Sequence, residues 1–239
     1  MCDTCGCNDP HAHPHDHAHP HAHGHGHPPP VRTLPVQKSA LELNQRLADQ
    51  NRGWFRAKGL QVFNLLSSPG SGKTTLLERT LRDVPRAAAI VGDLQTENDA
   101  IRLRATGAQA LQITTGATCH LDAHMVAHAL EKLDVASLDT LFIENVGNLV
   151  CPASYDLGET RRVVLLSVTE GEDKPLKYPV IFLHADLVLV TKADLAAAVG
   201  FDREQALAAI RQTAPKAKIL EISAKTGAGL DAWYAWLRA

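Results

Sequence analysis

Residues 67–75 read SSPGSGKTT. The apolar run QVFNLL leads into them, and LLERTLRDV follows with helical spacing. That strand–loop–helix setting is the one in which a phosphate-binding loop works. Gly70 and Gly72 let backbone N–H groups turn inward on a phosphate, with Ser71 and Thr75 in the same cradle, and the helix N-terminus adds partial positive charge. Lys73 is spaced to reach the β- and γ-phosphates, and the Thr74 hydroxyl to bind Mg2+. One position departs from the pattern G-x-x-x-x-G-K-[ST]: Ser67 stands where the first glycine belongs.

The base is addressed by TKAD, residues 191–194, after the run DLVLV. It is similar to the N-K-x-D guanine motif, with Thr191 in place of Asn. Asp194 can accept hydrogen bonds from guanine N1–H and the N2 amino group, which adenine lacks. The Lys192 stem can lie along the base plane. Ser223-Ala224-Lys225, after AKILEIS, matches the loop that backs the guanine ring. The expected nucleotide is GTP, with ATP as the alternative. Asp93 ends the run AAAIVGD and Glu144 ends DTLFIEN, so both carboxylates leave the carboxyl ends of strands, where ligands sit in open α/β sheets. With Thr74 they are assigned to the Mg2+ and water site; a plain helix cap is the bland alternative for each. Gly147 falls where a switch loop would sense a γ-phosphate. Arg102, Arg104, Arg161 and Arg162 cannot be ranked as hydrolysis-assisting groups from sequence.

Two further sets of residues are metal-ligand types. Cys119-His120 follows the run AQALQI, and Cys151-Pro152 follows ENVGNLV, so Cys119, His120 and Cys151 can converge at the nucleotide-facing edge of a sheet. Three ligands leave a site incomplete, and two protomers on a two-fold axis can pool them. Because Cys151 comes just after the switch-like loop, loop movement would change the ligand geometry. The alternative is two ordinary buried cysteines and a surface histidine. His120, His124 and His128 are spaced four apart, which predicts three imidazoles on one helical face. At the N-terminus, Cys2, Cys5 and Cys7 form C-x-x-C-x-C. Then His11, His13, His15, His17, His19, His21, His23, His25 and His27 occupy every second position. Thiolates and imidazoles suit Ni, Cu, Zn and Co. Variable Ala, Pro, Asp and Gly spacers argue against an engineered tag.

The elements that position these groups follow from composition. The chain has 239 residues and a formal net charge of −2, which argues against a nucleic-acid reader working by bulk charge. No apolar run approaches the roughly 20 residues of a membrane span, and no signal peptide is visible. The first 30 residues hold nine of the 13 histidines and three of the five cysteines, with almost nothing bulky and apolar. Such a stretch cannot offset the entropy of ordering, so residues 1–35 are expected to be a disordered metal-binding tail and linker, and residues 36–239 one domain. Val36, Ala40, Leu43 and Leu47 are spaced as the apolar face of a helix over 36–52. Seven apolar runs follow: QVFNLL, RAAAIV, AQALQI, LDTLFI, RVVLLSV, DLVLV and AKILEIS. Helical stretches between them predict an α/β fold with a mostly parallel sheet flanked by helices.

SSPGSGKTT, GDLQTENDA, TTGATCHLDA, ENVGNLVCP and TKADL occur together and in order. In this the chain resembles the HypB family, the nickel-incorporation GTPases of [NiFe]-hydrogenase maturation. The resemblance covers residues 36–239, and MCDTCGC matches the N-terminal motif of some members. Urease nickel GTPases are close cousins but carry Cys-Pro-His, whereas Ala153 follows Cys151-Pro152 here. The resemblance implies a SIMIBI-class P-loop GTPase that dimerises on GTP and hydrolyses it slowly as a switch. It implies nickel passing, with help from a zinc-containing HypA-type partner, into the precursor of the hydrogenase large subunit. It places the family's domain ligands for nickel or zinc on Cys119, His120 and Cys151, its tail ligands on Cys2, Cys5 and Cys7, and nickel storage on the histidine run. Competing readings are a passive nickel store with an incidental GTPase domain, a urease-type nickel GTPase and an ATPase of the same fold. The missing export signals and the need for GTP and reduced thiols imply a cytoplasmic location.

Overall fold

The computed structural model describes residues 33–116 and 118–239. The C-x-x-C-x-C cluster and the histidine run lie outside them. Seven strands form the core: β1 Gln61–Ser67, β2 Ala87–Asp93, β3 Gln109–Thr114, β4 Thr140–Glu144, β5 Arg161–Ser167, β6 Leu187–Thr191 and β7 Lys218–Glu221. They pair in parallel in the order β3-β2-β4-β1-β5-β6-β7. Each arises from one of the seven apolar runs, because a parallel strand covered on both faces can carry consecutive apolar residues. β1 sits between β4 and β5; from it the chain crosses to β2 and β3, then turns back through β4 to β5, β6 and β7, so the connections leaving the neighbouring strands β1 and β5 run in opposite directions. That switch point opens a crevice beyond the strand carboxyl ends.

Helices α1 Thr33–Lys58, α2 Lys73–Asp83, α3 Asn98–Arg104, α4 Ala123–Leu130, α5 Lys174–Lys177, α6 Pro179–Leu183, α7 Arg203–Thr213 and α8 Leu230–Leu237 cover the sheet. On one face, α2, α3 and α8 bury Leu76, Leu77, Leu103, Trp233 and Trp236 against Phe63, Leu65 and Val91. Trp233 also donates from its indole to Thr80 Oγ1 at 2.9 Å, so its polar handle is satisfied. The opposite face packs Phe55 of α1 and Val126 and Ala129 of α4 over Val62, Ala88 and Ile90. Ile181, Phe182 and Ile210 close the rest of that face over Leu66, Val164 and Val188. Among the described residues no helix is long and apolar enough to cross a membrane.

The first helix differs from its sequence expectation. It begins at Thr33 rather than 36 and runs on to Lys58; Pro35 falls in its first turn, where its missing N–H is not needed. The Ala40/Leu43/Leu47 stripe is not the packed face. Ala40 is exposed and Leu43 is 58% exposed. Asn44, Ala48, Asn51 and Phe55 are buried instead. The two asparagines are inside because they have partners there. Asn51 donates to the Ala123 and Leu157 carbonyls, and Asn44 accepts from Ala123 N and donates to the Asp156 carbonyl.

Candidate functional site

Two adjacent cavities lie along the carboxyl ends of the strands. The first is lined by Ser71, Gly72, Thr75, Lys192, Asp194, Ser223, Ala224 and Lys225, among others. The second is lined by Gly70, Gly72, Lys73, Thr74, Thr75, Asp93, Glu144, Gly147 and Lys192, together with Asp99, Arg102 and Asn145. Every residue expected from sequence to meet nucleotide or Mg2+ therefore lines one or both.

The loop geometry follows from residue type. Gly70 (φ 73°) and Gly72 (φ 97°) take left-handed backbone conformations open to glycine. Ser67 can replace the usual first glycine because it still belongs to β1 and its side chain is used. Its buried hydroxyl accepts from the Lys73 ammonium at 2.8 Å and from Ser71 Oγ at 2.5 Å, and donates to the Ser68 carbonyl. The Thr191 departure is likewise absorbed: its hydroxyl donates to the Ser71 carbonyl at 2.7 Å, tying the base-reading segment to the loop. Lys192 holds a positive φ of 57°, costly for a side-chain-bearing residue, and its ammonium donates to the Gly70 carbonyl at 2.7 Å. Asp194 accepts from Ser223 Oγ at 2.6 Å. One carboxylate oxygen is thus fixed, which orients the other toward whatever enters that cavity.

The second cavity is electrostatically tense. Thr74 Oγ1 donates to Glu144 Oε1 at 2.8 Å, while Glu144 Oε2 is buried with no partner among the described residues. Burial pushes the Glu144 carboxyl up to about 7, opposed by the nearby Lys73 charge and the Thr74 hydrogen bond. Burial in turn lowers the Lys73 ammonium, with Glu144 opposing. Asp93 accepts from Leu94 N and Thr96 Oγ1 and keeps its side chain at the cavity edge; it caps a turn, not a helix. Thr74, Asp93 and Glu144 form an all-oxygen donor set with one orphaned carboxylate oxygen, which suits a hard cation such as Mg2+. Of the four unranked arginines, Arg102 lines this cavity; its guanidinium pairs with Glu78 at 2.7 Å and touches Thr75 Oγ1 at 3.3 Å. Arg104, Arg161 and Arg162 bond to the Ala110, Trp236 and Ala153 carbonyls instead.

Cys119, His120 and Cys151 come together, with all three ligand atoms within 4.8 Å of one another. Neither cysteine is in a disulfide. His120 is buried and its ring stacks on Tyr155 with centroids 3.8 Å apart. Burial lowers its pKa, opposed by the Asp122 charge, which favours the neutral ring that ligation requires. Two thiols and an imidazole form a soft donor set for a thiophilic or borderline transition ion. Six residues along the chain separate Glu144 from Cys151. Between them, Gly147 lies so close to the phosphate-binding loop that an added Cβ would meet Pro69 Cα at 2.9 Å. Asn145 Oδ1 accepts from Leu121 N at 3.2 Å and from Val146 N at 3.0 Å. The same stretch therefore touches the nucleotide cavity, the loop after β3 and the Cys/His cluster.

The three-histidine ladder does not form. His120 precedes α4, whose N-cap is Asp122, and is drawn into the cysteine cluster; only His124 and His128 share the exposed face of that helix. Sequence reasoning also passed over Asp99, Asn145 and Tyr155. Asn145 carried a signal in retrospect, sitting between Glu144 and Gly147, whereas Asp99 and Tyr155 carried none.

A family profile described as CobW/HypB/UreG, nucleotide-binding domain, matches residues 61–221. The hydrogenase maturation factor HypB of Escherichia coli K12 is 54% identical over 209 residues, covering 86% of this chain and 72% of the relative. The crystal structure of HypB from Helicobacter pylori in complex with nickel superposes with a TM-score of 0.78 at 44% identity, covering 81% of this chain and 93% of that one. The signal recognition particle 54 kDa protein of Aeropyrum pernix, solved with GDP, is similar in fold, with a TM-score of 0.50 at 16% identity over 82% of this chain and 50% of that one.

Proposed function

The chain belongs to the CobW/HypB/UreG nucleotide-binding family, and from that premise we propose that it is a GTP-hydrolysing nickel chaperone acting in [NiFe]-hydrogenase maturation. The observation that carries the reading is the stretch from Glu144 to Cys151, which has one end in the nucleotide cavity and the other in the Cys/His cluster. Nickel is the cargo; zinc is the competing occupant of the same ligands. The nickel-bound relative supports nickel as the cargo.

In this reading Asp194 takes guanine N1–H and N2, Lys192 covers the base and Ser223-Ala224-Lys225 backs it. Gly70, Ser71, Gly72 and Thr75 cradle the phosphates, and Lys73 neutralises charge on the β- and γ-oxygens. Thr74, Asp93 and Glu144 would hold Mg2+, which supplies further neutralisation of the transferred phosphoryl group. Gly147 offers its backbone to the γ-phosphate, and release of that phosphate frees the 145–151 stretch to shift. Arg102 is near enough to assist. Cys119, His120 and Cys151 hold the metal ion, and a second copy of the chain on a two-fold axis completes its coordination when GTP is bound. The tail, residues 1–35, is a separate module: Cys2, Cys5 and Cys7 capture nickel and the histidine run stores it. Delivery then involves a HypA-type protein and the hydrogenase large-subunit precursor, in the cytoplasm.

The test is phosphate release from GTP and from ATP by the full chain, with Asp194→Asn beside it. GTP turnover with GDP, and not ADP, as the competing product supports the reading. Asp194→Asn should cost guanine at least about a hundredfold in preference, because the carboxylate's hydrogen bonds to N1–H and N2 are lost. Equal competition by ADP would identify an ATPase.

A further inference from the structure

The Cys/His cluster is built from two short segments. Cys119-His120 follows β3 and precedes the Asp122 cap of α4. Cys151 opens a single 3-10 turn, Cys151–Ser154, with Pro152 beside it. Tyr155 closes that turn: its N–H donates to the Pro152 carbonyl at 3.3 Å, and its backbone is extended, with φ −106°. One turn therefore carries a ligand at its start and an aromatic ring at its end. That ring lies on His120, with centroids 3.8 Å apart and planes inclined by 30°. In the same arrangement His120 Nδ1 is 4.0 Å from Cys119 Sγ.

The carbonyls around the turn are held from other elements. Arg162 of β5 donates from Nη1 to the Ala153 carbonyl and from Nη2 to the Tyr155 carbonyl, both at 3.3 Å. Its Nε pairs with the buried Glu159. Glu159 is itself fixed by Leu157 N at 2.7 Å and by Asn64 Nδ2 of β1 at 3.3 Å. Asn44 and Arg52 of α1 hold the carbonyls of Asp156 and Glu159. The Tyr155 ring is thus presented by a fully wired backbone. An imidazole's last torsion is broad and two-fold, so His120 needs a neighbour to set its plane. In most metal sites a hydrogen bond to the second ring nitrogen does this. A stacked aromatic ring sets the plane as well, and occupies neither nitrogen.

We propose that Tyr155 is a positioning residue of the metal cluster: its ring holds His120 in the plane that aims an imidazole nitrogen at the ion shared with Cys119 and Cys151. The step rests on the reading of those three residues as ligands. Cys151 and Tyr155 belong to one turn, so a shift of that turn moves one ligand and the support of another together. A change that begins at the nucleotide cavity and reaches Cys151 would then alter two ligands of the three. Arg162 and Glu159 set where the turn rests before it shifts.

The test is Co2+ titration of the full chain with Cys2, Cys5 and Cys7 replaced by Ser. Co2+–thiolate absorption then reports the cluster alone, and the energy of that band reports its donor set. Tyr155→Ala should weaken Co2+ by about tenfold or more and move the band, the usual cost of removing a ligand's support. Tyr155→Phe keeps the ring and should match the parent in both. In a chain that already carries His120→Ala, Tyr155→Ala should cost nothing further, because its effect passes through the imidazole. A merely structural Tyr155 would instead add its full effect to that of His120→Ala. That result, or an unchanged titration in Tyr155→Ala, would overturn the proposal. Equal losses in Tyr155→Phe and Tyr155→Ala would put the effect in the hydroxyl and overturn it too. If His120→Ala binds Co2+ as the parent does, the ligand reading itself fails. If His120→Ala binds weakly and Tyr155→Ala binds normally, only the positioning role falls.

Discussion

The two nucleotide cavities share the loop at 67–75 but differ in how their polar atoms are occupied. On the β6–β7 side every key group already has a partner. Thr191 is tied to Ser71, Lys192 to Gly70 and Asp194 to Ser223. On the β2–β4 side Glu144 keeps a buried oxygen with no partner among the described residues, and the nearby Cys119, His120 and Cys151 converge around a space suited to an ion. A wired pocket reads a ligand without changing shape; a pocket with unsatisfied charge responds to what enters it. In the proposed function, recognition falls to the first side and response to the second.

The comparison breaks most visibly at the ammonium carried by the loop that the two cavities share. Lys73→Ala is expected to weaken nucleotide binding on the order of a hundredfold or more, as loss of charge-assisted phosphate contacts predicts. Metal binding at Cys119, His120 and Cys151 should survive in that variant, measured by isothermal titration for nucleotide and by thiolate–metal absorption for the cluster. Joint loss would mean that the two sides are one folding unit.

Gly147→Ala acts on the responsive side alone. Its Cβ would lie 2.9 Å from Pro69 Cα, a backbone atom that cannot swing away. Overpacking of this kind costs about 1–3 kcal/mol, read as a lowered midpoint in urea. GDP affinity, set on the wired side, should change less than the difference between GDP and a GTP analogue.

The smallest effect is a slope in pH. Glu144 titrates near about 4.3 when unfolded and at about 7 in the folded chain, raised by burial. The unfolded chain gives up this proton first, so folding stability should fall as pH rises from about 4.3 to about 7, by no more than about 1.4 kcal/mol per unit. Above the folded value the contribution is flat. Urea unfolding of wild type and Glu144→Gln across that window isolates the slope, and saturating Mg2+ with GDP should remove it. A wild-type slope no different from that of Glu144→Gln would place the orphaned carboxylate elsewhere in the energetics.

Legibility in the sequence divided along similar lines. The seven strands were readable because doubly covered parallel strands are written as apolar runs. The phosphate-binding loop and TKAD were readable because their chemistry is local in sequence. Cys119, His120 and Cys151 could be brought together from strand ends alone. The buried face of α1 was misread because Asn44 and Asn51 look like surface residues until their distant carbonyl partners are known. The histidine ladder failed because the helix starts after His120, at the Asp122 cap. Arg102 could not be separated from three other arginines, and Tyr155 gave no signal, since stacking on His120 joins segments 35 residues apart.

The central claim is that nucleotide state reaches the Cys/His cluster through residues 144–151. Its most direct test is nickel titration of the full chain with Cys2, Cys5 and Cys7 replaced by Ser. Nickel–thiolate absorption then reports Cys119 and Cys151 alone, once with Mg2+ and GDP and once with Mg2+ and a non-hydrolysable GTP analogue. The account predicts affinities or stoichiometries that differ by about fivefold or more between the two states. Identical titrations would contradict it and leave delivery to the tail or to a partner protein.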